Sequence, residues 1–330
     1  MPLYRIARLA ATLAAIAGFA GSPAASAQNF PVRPISLGVA FSAGGPSDSI
    51  ARILADRMGR AIGQPVVVEN VTGAGGTIGV GKVVRAAPDG YTLGIGHNGT
   101  HVINGALYQL QYDLVKDLAP VSLVAANPQM IIVNPAMPVK TVKDLLAWVK
   151  DNQNKVNIGT GGIGTPSHLM AEYFIRNVVK VPLQMAHYRG SAPALVDIVA
   201  GHTHLQFDQA ASSLPLYRAG KIRALAVTST SRMAAAPELP SVDEAGMPGF
   251  HMSVWHGIWA PRDTPKPVIA SINAAIVEAL ADPALRQRLA DLGQEIPPKE
   301  QQNPEGLAAQ QKAEIEKWWP LIKAAGIKAE

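Results

Sequence analysis

The sequence predicts an α/β fold with mostly parallel sheets. Short runs rich in β-branched and aliphatic residues alternate with stretches of helical periodicity along most of the chain. After residue 261 the pattern is helical only, without a further clear strand. Helices without their own sheet must pack on one built elsewhere, so the last part of the chain is expected to return to the first strands.

The first βα unit is a predicted strand at 35–41 followed by a helix at 46–58, in which Ile50, Leu54 and Met58 share one face. Further strands are predicted at 65–70, 91–96, 120–126, 130–134, 156–160, 204–208 and 223–229. Further helices are predicted at 141–151, 166–177, 191–200, 265–281 and 304–324.

Two stretches are predicted to cross between two lobes. One lies around 123–128, and the other, 249–255, follows a loop rich in proline and glutamate. The predicted domains are a discontinuous first lobe, 28–125 plus 250–330, and a second lobe, 126–249. A ligand cleft is expected between the lobes.

The first 27 residues have the pattern of a secretory signal peptide. Arg5 and Arg8 precede a short apolar run at 9–21, and Ala25-Ser26-Ala27 supplies a small-residue cleavage site. The apolar run is too short to span a bilayer as a stable helix. A buried N-terminal helix is the alternative, but it has no use for the cleavage pattern. We therefore expect an exported protein, cleaved after Ala27.

Composition narrows the possible functions. Hydrophobic residues make up 48% of the 330 residues and charged residues only 16%, which is ample for a core. The net charge of +5 falls to +3 when Arg5 and Arg8 are removed, and the remaining basic residues are scattered. Nucleic-acid binding needs them clustered, and a small anionic ligand fits the scattered charges at least as well. The absence of cysteine excludes thiol chemistry and cysteine-ligated metals, and no metal or cofactor is predicted.

A first glycine-rich loop follows the first strand. The segment Phe41-Ser42-Ala43-Gly44-Gly45-Pro46-Ser47-Asp48 turns the chain into a helix that has proline at its first position. Free amides and the helix dipole favour an anion at such a helix start, and Ser47 adds a hydroxyl. An ordinary turn, with Asp48 as a first-turn acid, explains the local pattern equally well.

A second loop repeats this pattern at 157–169. Thr165 is a plausible N-cap and Pro166 the first helical residue, after the glycines of the loop. The polar groups at this helix start are Thr160, Gly161, Gly162, Thr165, Ser167 and His168. Two such helix starts, one per lobe, indicate a cleft with anion-recognising walls on both sides.

Weaker candidates follow other predicted strands. Asn98 and Thr100 lie at the expected carboxyl end of the 91–96 strand, where ligands of open α/β sheets collect. Tyr188-Arg189-Gly190 precedes the 191–200 helix, for which Ser191 is a plausible N-cap. Asp208 ends a strand, and Trp255 lies on the second crossing. A polar turn, a solvated charge, a cap and a core aromatic are the respective alternatives.

Several familiar motifs are incomplete. Two G-x-G-x-x-G matches, at 94–99 and 159–164, lack the acid about twenty residues on that dinucleotide binding requires. A near-Walker loop at 76–82 is followed by Val83 where magnesium binding needs Ser or Thr. Ser167 and His168 are adjacent but match no nucleophile motif, so a hydrolase remains a minor alternative.

Taken together, the motifs resemble those of one family, the Bug-type substrate-binding receptors of tripartite tricarboxylate transporters. The resemblance covers nearly the whole mature chain, with one departure at Arg189, where the family more often has lysine. The motifs that carry it are Pro31-x-Arg33-Pro34-Ile35, Phe41-x-Ala43-Gly44-Gly45-x-x-Asp48, Glu69-Asn70-x-x-Gly73-Ala74-Gly75-Gly76, Ala87-Pro88-Asp89-Gly90-Tyr91-Thr92-Leu93, Gly159-x-Gly161-x-x-Gly164-x-x-Ser167-His168-Leu169, Tyr188-Arg189-Gly190 and Arg223-Ala224-Leu225-Ala226-Val227-Thr228-Ser229.

The resemblance implies a periplasmic, two-lobed receptor with a type II-like periplasmic-binding-protein fold, which closes on its ligand like a Venus flytrap. The implied ligand is a small carboxylate, either a di- or tricarboxylate, an aromatic acid or an amino acid. The resemblance also implies a non-enzymatic monomer that delivers its ligand to one large and one small membrane subunit, with the carboxylate held by the loops at 41–48 and 160–168. Signalling to a membrane sensor is the alternative role. The expected ligand-binding residues are Phe41, Ala43, Gly44, Gly45, Ser47, Asp48, Asn98, Thr100, Thr160, Gly161, Gly162, Thr165, Ser167, His168, Tyr188, Arg189, Gly190, Asp208 and Trp255.

Overall fold

A computed structural model describes residues 30–329, so the predicted signal peptide lies outside the described residues. The strands are β1 (Ile35–Val39), β2 (Val66–Asn70), β3 (Thr92–His97), β4 (Leu118–Val133), β5 (Asn157–Thr160), β6 (Gln184–His187), β7 (Leu205–Gln209), β8 (Arg223–Val227) and β9 (Ser253–Pro261). The α-helices are α1 (Pro46–Ile62), α2 (Thr77–Val84), α3 (Asn104–Leu107), α4 (Val142–Asp151), α5 (Pro166–Tyr173), α6 (Ser191–Ala200), α7 (Ala210–Arg218), α8 (Lys266–Ala281), α9 (Pro283–Asp291) and α10 (Pro304–Ala324).

The long strand β4 joins two halves of the sheet. Its first part, from Leu118 to Pro128, pairs with β9. Its last part, from Gln129 to Val133, pairs with β7 and β8. The first sheet half therefore contains β2, β1, β3, β9 and the start of β4, and the second contains β6, β5, β7, β8 and the end of β4. The sequence predicted two strands here, whereas one strand runs through the crossing.

The α/β class is confirmed, but the strand directions are mixed. The strand β1 is parallel to β2 and β3, and β5 is parallel to β6 and β7. All pairs made by β4 and β9 are antiparallel. The prediction of mostly parallel sheets holds only within β1, β2 and β3 and within β5, β6 and β7. In the first sheet half, the antiparallel pairs arise because β9 returns beside the crossing strand.

The helices that follow β9 cover the first sheet half. Ile272 and Ile276 of α8 share one buried cluster with Leu37 and Leu54. The end of α10 differs, since Ile322 belongs to the core of the second sheet half. The predicted lobe boundaries stay a prediction. The packing of α8 on the first sheet half agrees with them, whereas the end of α10 packs on the second sheet half.

Several elements were not predicted. One is β6, which is poor in β-branched residues. Another is α7, which begins directly after β7 and contains Pro215. No single helix in residues 30–329 is long and apolar enough to cross a membrane. Together, α8 and α9 have the length and composition of a membrane span, but they are bent by 73° relative to each other.

Candidate functional site

A small cavity lies between the two sheet halves. Its volume of about 20 Å³ is close to the space that one water molecule needs. The first sheet half lines it with Phe41, Pro46, Ser47 and His97. The second lines it with Gln129, Gly161, Thr165, Pro166, Ser167, Gly190, Ser191, Phe207, Asp208 and Gln209.

Four helices begin at this cavity. Pro46 and Pro166 are the first residues of α1 and α5, Ser191 opens α6, and Gln209 is the N-cap of α7. The first-turn amides of a helix have no partner within it, and the dipole adds partial positive charge there. None of the described residues lining the cavity is a lysine or arginine. The arrangement therefore suits an anion held by neutral donors.

Asp48 holds the first loop in place through hydrogen bonds, from a position outside the cavity lining. Its carboxylate accepts hydrogen bonds from the Gly44 amide at 2.9 Å, from Arg52 at 2.9 and 3.0 Å, and from Asn70 at 3.0 Å. Burial alone would raise the pKa of Asp48, but these hydrogen bonds outweigh it and the pKa is lowered. Asn70 also donates to the Phe41 carbonyl at 2.9 Å. Asp48 therefore fixes the loop that presents Phe41 and Ser47, and does not itself line the cavity.

The other residues of the first loop have structural positions. Gly44 has φ +80°, which favours glycine. Ala43, Gly44 and Gly45 do not line the cavity, although Gly45 is the N-cap of α1. Of the expected residues here, the structure brings only Phe41 and Ser47 to the site.

In the second loop, three hydroxyl and amide groups form a compact set. Ser167 Oγ accepts from the Gly161 amide at 2.8 Å and lies 2.9 Å from Thr165 Oγ1. Thr165 Oγ1 also donates to the Gly162 carbonyl at 2.6 Å. Gly161, Thr165 and Ser167 face the cavity, and Gly162 supports them from outside its lining.

Thr160 and His168 lie next to this loop but outside the cavity lining. Thr160 Oγ1 is hydrogen-bonded to His187 Nδ1 at 2.8 Å, and His168 Nδ1 accepts from the Gly164 amide at 3.4 Å. Burial lowers the pKa of His168 to about 4, so its ring is neutral near pH 7.

Asp208 lines the cavity and is hydrogen-bonded to the start of α7. Its side chain is buried and accepts from Ser212 at 2.5 Å, from Ser213 at 2.6 Å and from Gln206 at 3.2 Å. Burial raises the pKa of Asp208, while these hydrogen bonds oppose the rise. Because Ser212 and Ser213 lie in the first turn of α7, the carboxylate holds the start of that helix in place.

Four other expected residues lie outside the lining. Asn98 donates to the Ser253 carbonyl at 3.1 Å, and the Thr100 hydroxyl donates to the His97 carbonyl at 3.0 Å. The Tyr188 hydroxyl donates to Asp197. The Arg189 side chain is exposed.

Trp255 also lies away from the cavity, in a buried cluster with Trp259 and Leu307. The next residue, His256, hydrogen-bonds Ser47 at 3.1 Å and so reaches the site. Neighbouring residues on a strand point to opposite faces, so the structure brings to the site the histidine that follows Trp255 and not Trp255 itself.

His97 was not among the expected ligand-binding residues. Its Nδ1 accepts from the Gly99 amide at 2.9 Å, and its ring is stacked on Phe41 with centroids 5.0 Å apart. Burial lowers the pKa of His97 to about 3. A neutral ring whose Nδ1 accepts carries its proton on Nε2, so His97 adds a neutral donor.

The remaining unpredicted lining residues had signals of different strength. Phe207 and Gln209 flank Asp208 at the same strand end. The prediction of Ser191 as N-cap is wrong by one residue, because Gly190 is the N-cap and Ser191 is the first helical residue, without a side-chain cap hydrogen bond. Pro46 and Pro166 were identified as first helical residues. Gln129 had no local signal, because its place depends on the crossing of β4 between the sheet halves.

The two walls of the cavity touch each other. The Ser42 amide donates to the Arg189 carbonyl at 3.3 Å, and the Tyr108 hydroxyl donates to the Ile163 carbonyl at 2.9 Å. Gly190 has φ +136°, and a Cβ there would lie 2.5 Å from Ser42 Oγ. Glycine at this position therefore permits the close approach of the walls.

The geometry gives little support to catalysis. Ser167 and His168 are bonded to separate backbone amides and not to each other. Ser47 and His256 are in contact, but His256 Nδ1 has no hydrogen-bond partner among the described residues. Burial lowers the pKa of His256 well below its ordinary value, which makes it a weak base. Within residues 30–329, no cluster of three or more His, Asp or Glu is placed to hold a metal.

Two sheet halves joined by a crossing strand, with an anion-suited cavity between them, define a solute-binding protein of the periplasmic-binding-protein class. The structure is similar to that of the periplasmic binding protein BugD, with 38% identity, coverage of 91% of this chain and 100% of that chain, and a TM-score of 0.88. It is also similar to MatC from Rhodopseudomonas palustris with bound malate, with 36% identity, coverage of 89% and 100%, and a TM-score of 0.85.

Sequence comparisons identify the family. Protein BugT from Bordetella pertussis is 32% identical over 330 residues, which is 99% of each chain. The family model described as tripartite tricarboxylate transporter family receptor matches residues 50–327. The chain belongs to this family, and the resemblance drawn from its motifs is confirmed. It is accordingly a periplasmic solute-binding receptor, in a family whose solved relatives are binding proteins.

Proposed function

We propose that this receptor captures a small carboxylate in the cavity between its sheet halves and delivers it to the membrane subunits of a tripartite tricarboxylate transporter. The observation that carries the proposal is the convergence of four helix starts on a cavity lined by hydroxyls and by no described lysine or arginine. The malate bound to the related MatC supports the ligand class.

Capture is led by backbone and hydroxyl donors, not by a salt bridge. Ser47 at the start of α1 and Ser167 at the start of α5 approach the carboxylate from opposite walls. The cavity of about 20 Å³ is too small for a dicarboxylate, so the walls must separate for the ligand to enter and must close on it with a wider gap than in this structure. A ligand that binds better to the closed than to the open state then stabilises closure.

The test is a thermal-shift screen of the periplasmic protein against acetate, succinate, malate, citrate, aspartate and benzoate, followed by calorimetry. A ligand that binds only the folded state raises the melting temperature. We expect at least one carboxylate to do so and to be recovered chemically unchanged. Succinamide and benzamide are matched controls that lack the charge, and we expect no shift with them. Shifts with the amides only, or with none of the acids, would refute the proposal.

Delivery and export have separate tests. Uptake of the bound acid by vesicles containing the large and small membrane subunits should require this receptor, whereas a sensor would bind the acid without supporting uptake. N-terminal sequencing of the exported protein should begin at Gln28 if cleavage follows Ala27. A single peak of monomer mass in size-exclusion chromatography with light scattering is expected.

A further inference from the structure

We propose that the cavity selects carboxylates that also carry a hydrogen-bond donor, a hydroxyl or an ammonium group, and that Gln129 and Gln209 read this donor. The inference rests on the proposed function, since it concerns the second half of the same ligand. It adds the two glutamine carbonyls to the donors at the helix starts that the proposed function already uses.

Gln129 and Gln209 form a cross-strand pair. They stand opposite each other where β4 and β7 pair antiparallel, and both line the cavity. Side chains opposite each other on such strands have Cβ atoms about 5 Å apart. Two side-chain amides are therefore held together at one end of the site.

Both carbonyl oxygens lack a donor. Gln129 is 0% and Gln209 is 7% exposed, and Oε1 of each has no hydrogen-bond partner among the described residues. Leaving a buried acceptor unsatisfied destabilises the folded protein. Such groups are rare in folded proteins, and each one needs a structural or functional explanation.

The orientation of Gln129 is set by a neighbour. Its Nε2 donates to the Met252 sulfur at 3.4 Å. A thioether sulfur only accepts, so turning the amide over would place two acceptors against each other. The carbonyl oxygen of Gln129 is thus the group left for a ligand.

Neighbouring polar groups do not supply the missing donors. Asp208, beside Gln209, is itself an acceptor that is filled by Gln206, Ser212 and Ser213. The cavity therefore has a donor side, at the starts of α1 and α5, and an acceptor side, at the two glutamines. A 2-hydroxy or 2-amino acid complements both sides, because its carboxylate and its donor are two bonds apart.

Calorimetry on pairs of acids that differ by one group tests the inference. The pairs are malate and succinate, aspartate and succinate, lactate and propionate, and mandelate and phenylacetate. We expect the donor-bearing member of at least one pair to bind at least about 10-fold more tightly, because the bare acid leaves both carbonyls unpaired. Comparison of malate with aspartate shows whether the donor is a hydroxyl or an ammonium group.

Gln129→Met tests whether the glutamine is responsible. The change keeps the side-chain length and removes an unsatisfied group, so the melting temperature should not fall. We expect the preference within the pair to shrink to about 3-fold or less. Gln294→Met is the matched control, since Gln294 is also buried with both amide atoms unpartnered but does not line the cavity. The preference should survive in this control.

The possible failures are distinguishable. If bare and donor-bearing acids bind equally well, or if Gln129→Met keeps the preference, the selectivity inference is wrong and the carboxylate receptor stands. If no member of any pair binds, the proposed function fails together with the inference. Should Gln129→Met unfold, Gln209→Met provides the same comparison from the opposite strand.

Discussion

The backbone amide of Ser42 donates a hydrogen bond to the carbonyl of Arg189 at 3.3 Å, and this bond joins the two walls of the cavity. Ser42 belongs to the loop before α1, and Arg189 lies just before α6. The bond is possible because the residue after Arg189 is glycine. The two walls are joined at this point by a backbone hydrogen bond. Substitutions that disturb this contact should therefore affect closure of the cavity more than folding of the protein.

Gly190→Ala should weaken ligand binding by about 10-fold or more while the protein still folds. The added Cβ would lie 2.5 Å from Ser42 Oγ and 3.2 Å from the Ser42 amide nitrogen, and φ +136° is strained for alanine. Strain of this kind costs about 1–3 kcal/mol. Small-angle scattering should show a more open particle, and calorimetry the lost affinity. Gly220→Ala, at φ +66° with nothing within 4 Å, is the control that should bind normally.

Tyr108→Phe should lower affinity by about 2- to 10-fold with little change in melting temperature. The lost hydroxyl donates to Ile163 across the cavity walls at 2.9 Å, and one such bond contributes about 0.5–1.5 kcal/mol. Tyr112→Phe is matched, because the Tyr112 hydroxyl donates at 3.0 Å to Thr77 within the first sheet half. The control should lose stability but keep its affinity. Equal effects of the two variants on affinity would show that Tyr108 does not act through closure.

Asp48→Asn should reduce the free energy of unfolding at pH 7 by about 1–3 kcal/mol, since it weakens charged hydrogen bonds to a buried group. The pKa of Asp48 is lowered from 3.8, so between the two values the unfolded state binds more protons than the folded state. The contribution is complete above about pH 4 and is lost as the pH falls through the folded pKa. Urea unfolding of both proteins from pH 2 to 7 should show the difference shrinking in acid.

Asp56→Asn is the control for this series. Asp56 pairs with Arg60 at 3.1 Å on the same helix and with the same i,i+4 spacing, but both side chains are largely exposed. An exposed pair contributes about 0–1 kcal/mol, so this variant should be near wild type. A loss as large as that of Asp48→Asn would mean that burial does not set the difference.

Local patterns predicted the parts of the site that depend on glycine, proline and caps. The loops before α1 and α5 belong to this group, because Pro46 and Thr165 act on their own neighbours. Gln129 and His256 could not be found in this way. Their positions depend on how β4 and β9 cross between the sheet halves, and β9 was not recognised as a strand. The register that turns His256 and not Trp255 toward Ser47 therefore had no local signal.

The titratable groups near the cavity lead to a prediction about pH. Burial lowers the pKa of His97 to about 3 and that of His168 to about 4, so neither becomes charged between pH 5.5 and 8. Asp208 is the one acid in the described lining, and burial raises its pKa. The histidines should therefore leave the pH profile of binding unchanged, and any slope should come from Asp208.

The sign of that slope follows from charge. As the pH falls through the raised pKa of Asp208, its carboxyl becomes neutral and its repulsion of a bound carboxylate disappears, so the affinity for an acid without an amine should rise. Asp208→Asn mimics the neutral form and should bind such an acid at pH 8 at least as tightly as wild type, with a flat profile from pH 5.5 to 8. His97→Gln should keep the wild-type slope. A slope that persists in Asp208→Asn but vanishes in His97→Gln would show that a histidine takes up a proton on binding. That result would contradict a site that holds its anion with uncharged donors.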